Sequence, residues 1–310
     1  MAQSFVTSAA RKLTTKPVWW WERRQKYGIR AGFKNLPPIA VNKGRKRFVV
    51  LTTPESLGEA LWTAWSWYRF LQTEDFELEL AVDGELSRPE SASALQLFPG
   101  VTIYSAQSTC AYVCEREPTL QTFLYGYPMG RKLALMLACS DRSPILYSDH
   151  DVLAFNPPDE LFKCVDKNVP CYFLEEVDGT RDAQVAKSAL SLGLDYLPQF
   201  NSGFLYLPKG TLPIELAARI LATWRPPANS WFTEQTALSV MLQSAKAEAL
   251  PQNRYVISAR RQFYFEKDVD YRAIVARHFT GTVRHVMYKF GMPEILKQSR
   301  ILSSERKDAR

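Results

Sequence analysis

Two carboxylates flank an imidazole in the stretch PILYSDHDVLAF, Pro144 to Phe155. Asp149 and Asp151 lie two residues apart, and in an extended chain alternate side chains share a face. Carboxylates held that close repel each other unless a cation lies between them. A pair of oxygen ligands suits a hard divalent ion, Mn²⁺ or Mg²⁺. His150 would face the other way and pack. A solvated turn accounts for the same tripeptide, but its place between the apolar runs ILYS and VLAF argues for a site. An imidazole from a distant segment would complete the ligand set. The chain has three histidines, His150, His278 and His285. His278 precedes Thr280-Gly281, where glycine lets the backbone approach a phosphate.

Four further groups qualify. Asn201, Ser202 and Gly203 stand before an apolar strand and offer hydrogen bonds and close approach to a polyhydroxylated ligand. Glu234 and Gln235 fall in the first turn of a helix that Thr233 could cap, where the helix dipole favours an acid in any case. Arg131 and Lys132 open a helix, the wrong end for cations, which points to an anion or else to a solvated face. Thr52, Thr53 and Asp83 end early strands.

Strand and helix patterns alternate around these residues. Phe48 to Leu51 read as a short strand. Leu57, Leu61, Ala64, Trp65, Tyr68 and Leu71 then recur at helical spacing. FELELAVDGE and GVTIYSA read as strands, GRKLALMLACS as a helix, and PILYSDHDVLAF and PCYFLEEV as strands. QFNSGFLYLPKG reads as a strand entered through Asn-Ser-Gly. LPIELAARILATW and WFTEQTALSVMLQSA read as helices, and YVISARRQFYF as a late strand. Such alternation predicts an α/β domain with a parallel or mixed central sheet and helices on both faces. Ligands of such sheets sit beyond the carboxyl ends of the strands.

The 310 residues suffice for one large domain, and an apolar fraction of 46% supports a sizeable core. Lys and Arg number 39 against 32 Asp and Glu, a net charge of +7 that suits anionic partners. The cations are dispersed and no nucleic-acid motif is present, so a nucleic-acid partner is not expected. Five irregularly spaced cysteines read as free thiols, mostly buried, in a reducing compartment. No apolar run has the length of a membrane span. The N-terminus lacks the apolar core of a signal peptide, so a cytoplasmic location is expected. Residues 1–46 form a basic, Trp-rich arm. Its tryptophans either pack back onto the domain or touch a membrane surface peripherally. The domain proper spans 47–290, and 291–310 reads as a charged tail that frays.

The order of these features resembles the GT-A glycosyltransferases. A basic residue on a helix, Asp-x-Asp, Asn-Ser-Gly on a later strand, an acid-Gln pair opening a helix, and His-x-x-Gly follow one another over about residues 47–290. The likeness is greatest to the retaining family of glycogenin and the bacterial lipopolysaccharide galactosyltransferases. It implies a GT-A fold and a hexosyltransferase that uses a nucleotide-diphosphate sugar, with UDP-hexose favoured. Asp149, Asp151 and His278 would then hold the metal. Lys132 or Arg131 would contact the donor, with Thr52, Thr53 and Asp83 near its base and ribose. Asn201, Ser202 and Gly203 would line the sugar pocket, and Gly281 would meet the diphosphate. Glu234 and Gln235 would face the sugar or an acceptor, whether glycan, lipid-linked sugar or protein. The family has a small residue where His150 stands. Its Lys-Pro-Trp is replaced by VRHVMYKFG, with Arg284 and Lys289 as substitutes. A metal-dependent phosphohydrolase and a non-catalytic GT-A-like interaction domain remain as alternatives. Three histidines are few for a two-metal hydrolase.

Overall fold

The structure, a computed structural model, describes residues 28–29, 31–175, 181–226, 232–257, 269–281 and 284–308, with side chains up to Ile301. Seven strands form the main sheet in the order β3-β2-β1-β4-β7-β6-β8. They are β1 (Lys46–Thr52), β2 (Phe76–Val82), β3 (Thr102–Ser105), β4 (Ile145–Asp149), β6 (Cys171–Leu174), β7 (Phe200–Leu207) and β8 (Glu248–Ala249). β3, β2, β1 and β4 are mutually parallel, and β7 runs antiparallel to both β4 and β6. A second sheet joins β5 (Val152–Ala154), β10 (Ala276–His278) and β9 (Tyr255–Ile257) in the order β5-β10-β9.

Both faces of the main sheet are covered, so its central strands β4 and β7 are buried in continuous runs rather than at alternate residues. Phe48 and Val50 of β1 join one apolar cluster and Val49 the other. The first cluster holds the helix Leu57–Leu71, twelve of whose fifteen residues are buried. That exceeds a single stripe, because different elements cover different sides of the helix. Trp67 donates from Nε1 to Val152 O at 2.9 Å and stacks on Phe204 with ring centroids 4.3 Å apart. Trp65 donates to Pro37 O at 2.8 Å, which ties down the described end of the arm. Leu36 is buried, and Ile39 and Val41 pack against the same cluster. Trp19, Trp20 and Trp21 lie outside the described residues.

Three segments differ from the expectation. The stretch Pro144 to Phe155 is not one strand. It breaks at His150-Asp151 and supplies β4 to one sheet and β5 to the other. Asn201, Ser202 and Gly203 lie inside β7 rather than in a turn before it, and all of β7 is buried. Met292–Asp308 forms a helix instead of a frayed tail, with Met292 and Ile295 in the core. Of the late segment YVISARRQFYF, Tyr255–Ile257 is a strand and residues 258–265 lie outside the described residues. All five cysteines are free thiols; four are buried and Cys114 is half-buried. Among the described residues no helix is long and apolar enough to cross a membrane.

Candidate functional site

The topology brings distant residues to one edge. Leu51 of β1 pairs with Asp149 and Thr52 with Val82, so Thr52, Asp83 and Asp149 end neighbouring parallel strands. An antiparallel strand begins where its parallel neighbour ends. Phe204 pairs with Ser148, which sets Ser202 and Gly203 beside Asp149. In the small sheet His278 pairs with Val152, the residue after Asp151, and Phe279 N donates to Asp151 O at 2.8 Å.

Asp149, Asp151 and His278 therefore converge, with one ligand atom of each inside a mutual distance of 4.8 Å. His278 Nε2 lies 3.2 Å from Asp151 Oδ1. A divalent ion about 2.1 Å from each donor needs cis donors about 3 Å apart, which that spacing matches. The ring has a second commitment, because His278 Nδ1 lies 3.0 Å from Asn201 Oδ1. Gly203 N also donates to that oxygen at 2.9 Å, so it is an acceptor and Nδ1 carries the proton. Nε2 then points a lone pair at a carboxylate. The contact is attractive only with a cation between them or a second proton on the ring. Two carboxylate oxygens and one imidazole nitrogen so placed fit a divalent cation.

Burial and charge tune the carboxylates. Desolvation pushes Asp151 up, but the positive charge that a doubly protonated His278 and Arg284 place beside it outweighs this and holds the carboxyl well below its usual range. Arg284 Nη2 reaches Asp151 Oδ2 at 2.5 Å, so this substitute cation faces the triad. Lys132 is buried and donates to Asp149 Oδ2 at 3.0 Å and to Ser202 Oγ at 3.1 Å. Its burial works against the charge, yet Asp149 and Glu234 raise its pKa overall. Arg131 Nε pairs with Asp83 Oδ1 at 2.7 Å. The two cations that open the helix Pro128–Arg142 thus meet the protein's own carboxylates.

Glu234 is only 1% exposed. Ser202 Oγ donates to its Oε2 at 3.2 Å, and Lys132 stands 3.7 Å from Oε1. Lys132 and Glu234 are both shifted upward, although a pure ion pair would lower the acid. The distances resolve this, because Lys132 is nearer to Asp149 and desolvation dominates at Glu234. Its pKa rises from 4.5 to about 7. Between those values the folded protein keeps a proton that the unfolded chain releases, so stability falls as pH rises across that window. A shift of that size is worth about 3 kcal/mol. Urea midpoints of metal-free wild type and Glu234→Gln at pH 5 and pH 8 test this. The wild type loses more stability than the variant on going to pH 8; equal losses refute the assignment.

The remaining candidates are less drawn in. Thr52 and Thr53 hydroxyls turn to Ser56 Oγ at 3.2 and 3.0 Å. Gln235 is half-buried beside Glu234. Gly281 is exposed, and among the described residues, its chain neighbours aside, no atom lies within 4 Å of where a Cβ would stand. Thr233 does not cap its helix; its hydroxyl donates to Asp182 Oδ2 at 2.5 Å. His150 is half-buried, and its carbonyl accepts from Thr63 Oγ1 at 2.8 Å. Lys289 lies over the Phe290 ring, 5.0 Å from its centroid.

Sequence reasoning missed Tyr147, whose hydroxyl donates to Asp149 Oδ1. The alternation that paired Asp149 with Asp151 also puts Tyr147 on the Asp149 face, so the signal was present. It also missed that Asn201 and Gly203 stand behind His278. A Cβ at Gly203 would lie 2.2 Å from His278 Cε1.

The sequence matches no protein-family model and no curated protein. Solved structures do match. The chain is similar to the galactosyltransferase LgtC in complex with donor and acceptor sugar analogues, at 12% identity and a TM-score of 0.52, over 81% of this chain and 95% of that one. It is similar to mouse xyloside xylosyltransferase 1 in its apo form, at 15% identity and a TM-score of 0.50, over 79% of this chain and 99% of that one.

The chain has the GT-A fold.

At such identities the likeness carries the fold, and function is argued from the site. In this GT-A chain the acidic cluster ends β4 and is completed from the small sheet. A groove of about 690 Å³ elsewhere, beside Phe123, Arg219 and Trp224, includes none of the triad.

Proposed function

We propose that the protein is a glycosyltransferase that moves a hexose from a nucleotide-diphosphate sugar, with UDP favoured, to a glycan, lipid-linked or protein acceptor. The observation that carries this reading is the Asp149-Asp151-His278 donor set at the carboxyl edge of a GT-A sheet. Asp149, Asp151 and His278 would hold Mn²⁺ or Mg²⁺. Such an ion supplies Lewis-acid neutralisation of the charge that grows on a leaving diphosphate.

The chain's own residues account for the rest of the chemistry. Arg284, one-third exposed and paired to Asp151, is the cation placed to meet the diphosphate. Lys132, fixed by Asp149 and Ser202, stands where sugar hydroxyls would enter, and Asn201 and Gly203 support the ligand set from behind. Burial of Glu234 behind Ser202 and Lys132 favours a retaining course. In that course the leaving phosphate takes the acceptor proton, and no protein carboxylate has to reach the acceptor hydroxyl. Glu234 or Gln235 then steadies positive charge at the anomeric carbon. A cytoplasmic location, and a peripheral membrane contact through residues 1–46, belong to the same proposal and rest on composition.

Calorimetric titration of UDP and of GDP, each with and without Mn²⁺, tests the reading. Saturable binding of one nucleotide that requires Mn²⁺ is the expected result, and it names the base. Absence of binding by either nucleotide to folded protein overturns the donor site and returns the phosphohydrolase and the interaction domain.

A further inference from the structure

His278 is oriented by a hydrogen-bond chain that ends on Glu175, a residue with no role assigned above. The strand pairing builds it. Tyr172 of β6 pairs with Leu205, but the next residue, Phe173, pairs with Asn201, so Ser202 to Phe204 bulge out of the ladder. Such bulges re-aim side chains next to functional sites. Here Asn201 falls opposite Phe173, two residues before Glu175. Glu175 N donates to Gln199 O at 2.9 Å, which continues the pairing and fixes the backbone of Glu175.

Asn201 Nδ2 donates to Glu175 Oε2 at 3.2 Å, and Asn201 Oδ1 serves Gly203 N and His278 Nδ1. The two ends of an amide have nearly the same shape, so only its partners set its direction. A flipped Asn201 would turn its NH₂ toward two donors. An ionised Glu175 accepts hydrogen bonds and donates none, so it holds the amide one way round. With Oδ1 facing the ring, the proton stays on Nδ1 and the Nε2 lone pair stays aimed at Asp151.

We infer that Glu175 is a positioning residue that, through Asn201, fixes the tautomer and orientation of His278 for a divalent cation. This inference rests on the metal reading of the previous section. Outer partners of ligating histidines contribute about 10–100-fold in metal affinity. A glutamine at 175 offers both donor and acceptor and loses the discrimination, whereas an aspartate keeps the chemistry with one methylene less reach.

Two measurements on the purified full chain test it. Mn²⁺ affinity, read by the paramagnetic resonance of free ion without any substrate, falls about 10–100-fold in Glu175→Gln. In Glu175→Asp it lies between the variant and wild type. Long-range nitrogen–proton spectra of metal-free, ¹⁵N-histidine-labelled protein show a protonated Nδ1 on His278 in wild type that is lost from Glu175→Gln; its absence from His278→Gln assigns the signal. Wild-type Mn²⁺ affinity together with an unchanged tautomer in Glu175→Gln overturns the inference. If wild type itself binds no Mn²⁺, the metal reading fails and the inference, as an inference about a cation ligand, fails with it. The metal-free spectra then still show whether Glu175 sets the tautomer, so the two failures are told apart.

Discussion

Asp151→Asn abolishes metal-dependent nucleotide binding while the metal-free protein stays folded. The substitution keeps the size of a side chain that is 4% exposed, so no cavity forms. It removes the charge that faces both His278 Nε2 and Arg284 Nη2. Arg284 is one-third exposed and can turn to solvent. The fold loses some stability, since the charge that His278 and Arg284 hold in place is gone and the folded state no longer gains from it. The proposed site loses one of its two carboxylate donors, and an amide is a far poorer donor for a hard cation. Lewis-acid stabilisation of a leaving diphosphate is worth several kcal/mol, so turnover of the nucleotide sugar falls by roughly 10³-fold or more. Donor hydrolysis at saturating Mn²⁺, set against the circular dichroism of the same sample, gives the answer. Turnover within tenfold of wild type removes Asp151 from the ligand set.

Gly203→Ala acts on the same site from behind. A Cβ there would stand 2.2 Å from His278 Cε1, 2.6 Å from Nδ1 and 2.9 Å from Asn201 Oδ1. Carbon atoms in contact sit about 3.5–4 Å apart, so the imidazole has to retreat by more than an ångström. β7 is buried along its whole length and cannot yield instead. Overpacking of this kind costs about 1–3 kcal/mol, and the retreat takes Nε2 away from Asp151. Mn²⁺ affinity falls by about 10–100-fold, and the urea midpoint falls with it. If the midpoint falls but Mn²⁺ affinity does not, His278 is not a ligand.

The strands that end in acids were legible because local patterns fix them. Runs stopping at Asp83 or Asp149 read as strands whatever lies beside them, and the α/β class followed from their alternation with helices, while GT-A came from the resemblance carried by the order of the motifs. Long-range pairing was not legible. Nothing in FNSGFLYL says that β7 enters antiparallel beside β4, or that its ladder slips at Ser202, and both facts turn Asn201 toward a histidine. The break at His150 was hidden for the same reason, since VLAF suits a strand in either sheet. Arg131 and Lys132 were read as facing an anion or else solvent; their protein partners, Asp83 and Asp149, lie on other elements and were not legible. The terminal helix was misjudged because Met292 and Ile295 are sparse among charged residues, and only the apolar cluster assembled from distant segments gives them something to pack on.

The pairing of β10 with β5 also bears on how the protein is made. Asp151 and Arg284 are 133 positions apart. The entropy of closing such a loop is repaid only once the small sheet and its packing are in place. A chain synthesised from its N-terminus presents β1, β2, β3 and β4 long before His278 leaves the ribosome. Asp149 and Asp151 emerge as bare carboxylates, two of the three donors proposed for the cation. The third arrives with β10, so a chain cut short just before Ala276 would keep every strand of the large sheet and lose the strand that closes the proposed site.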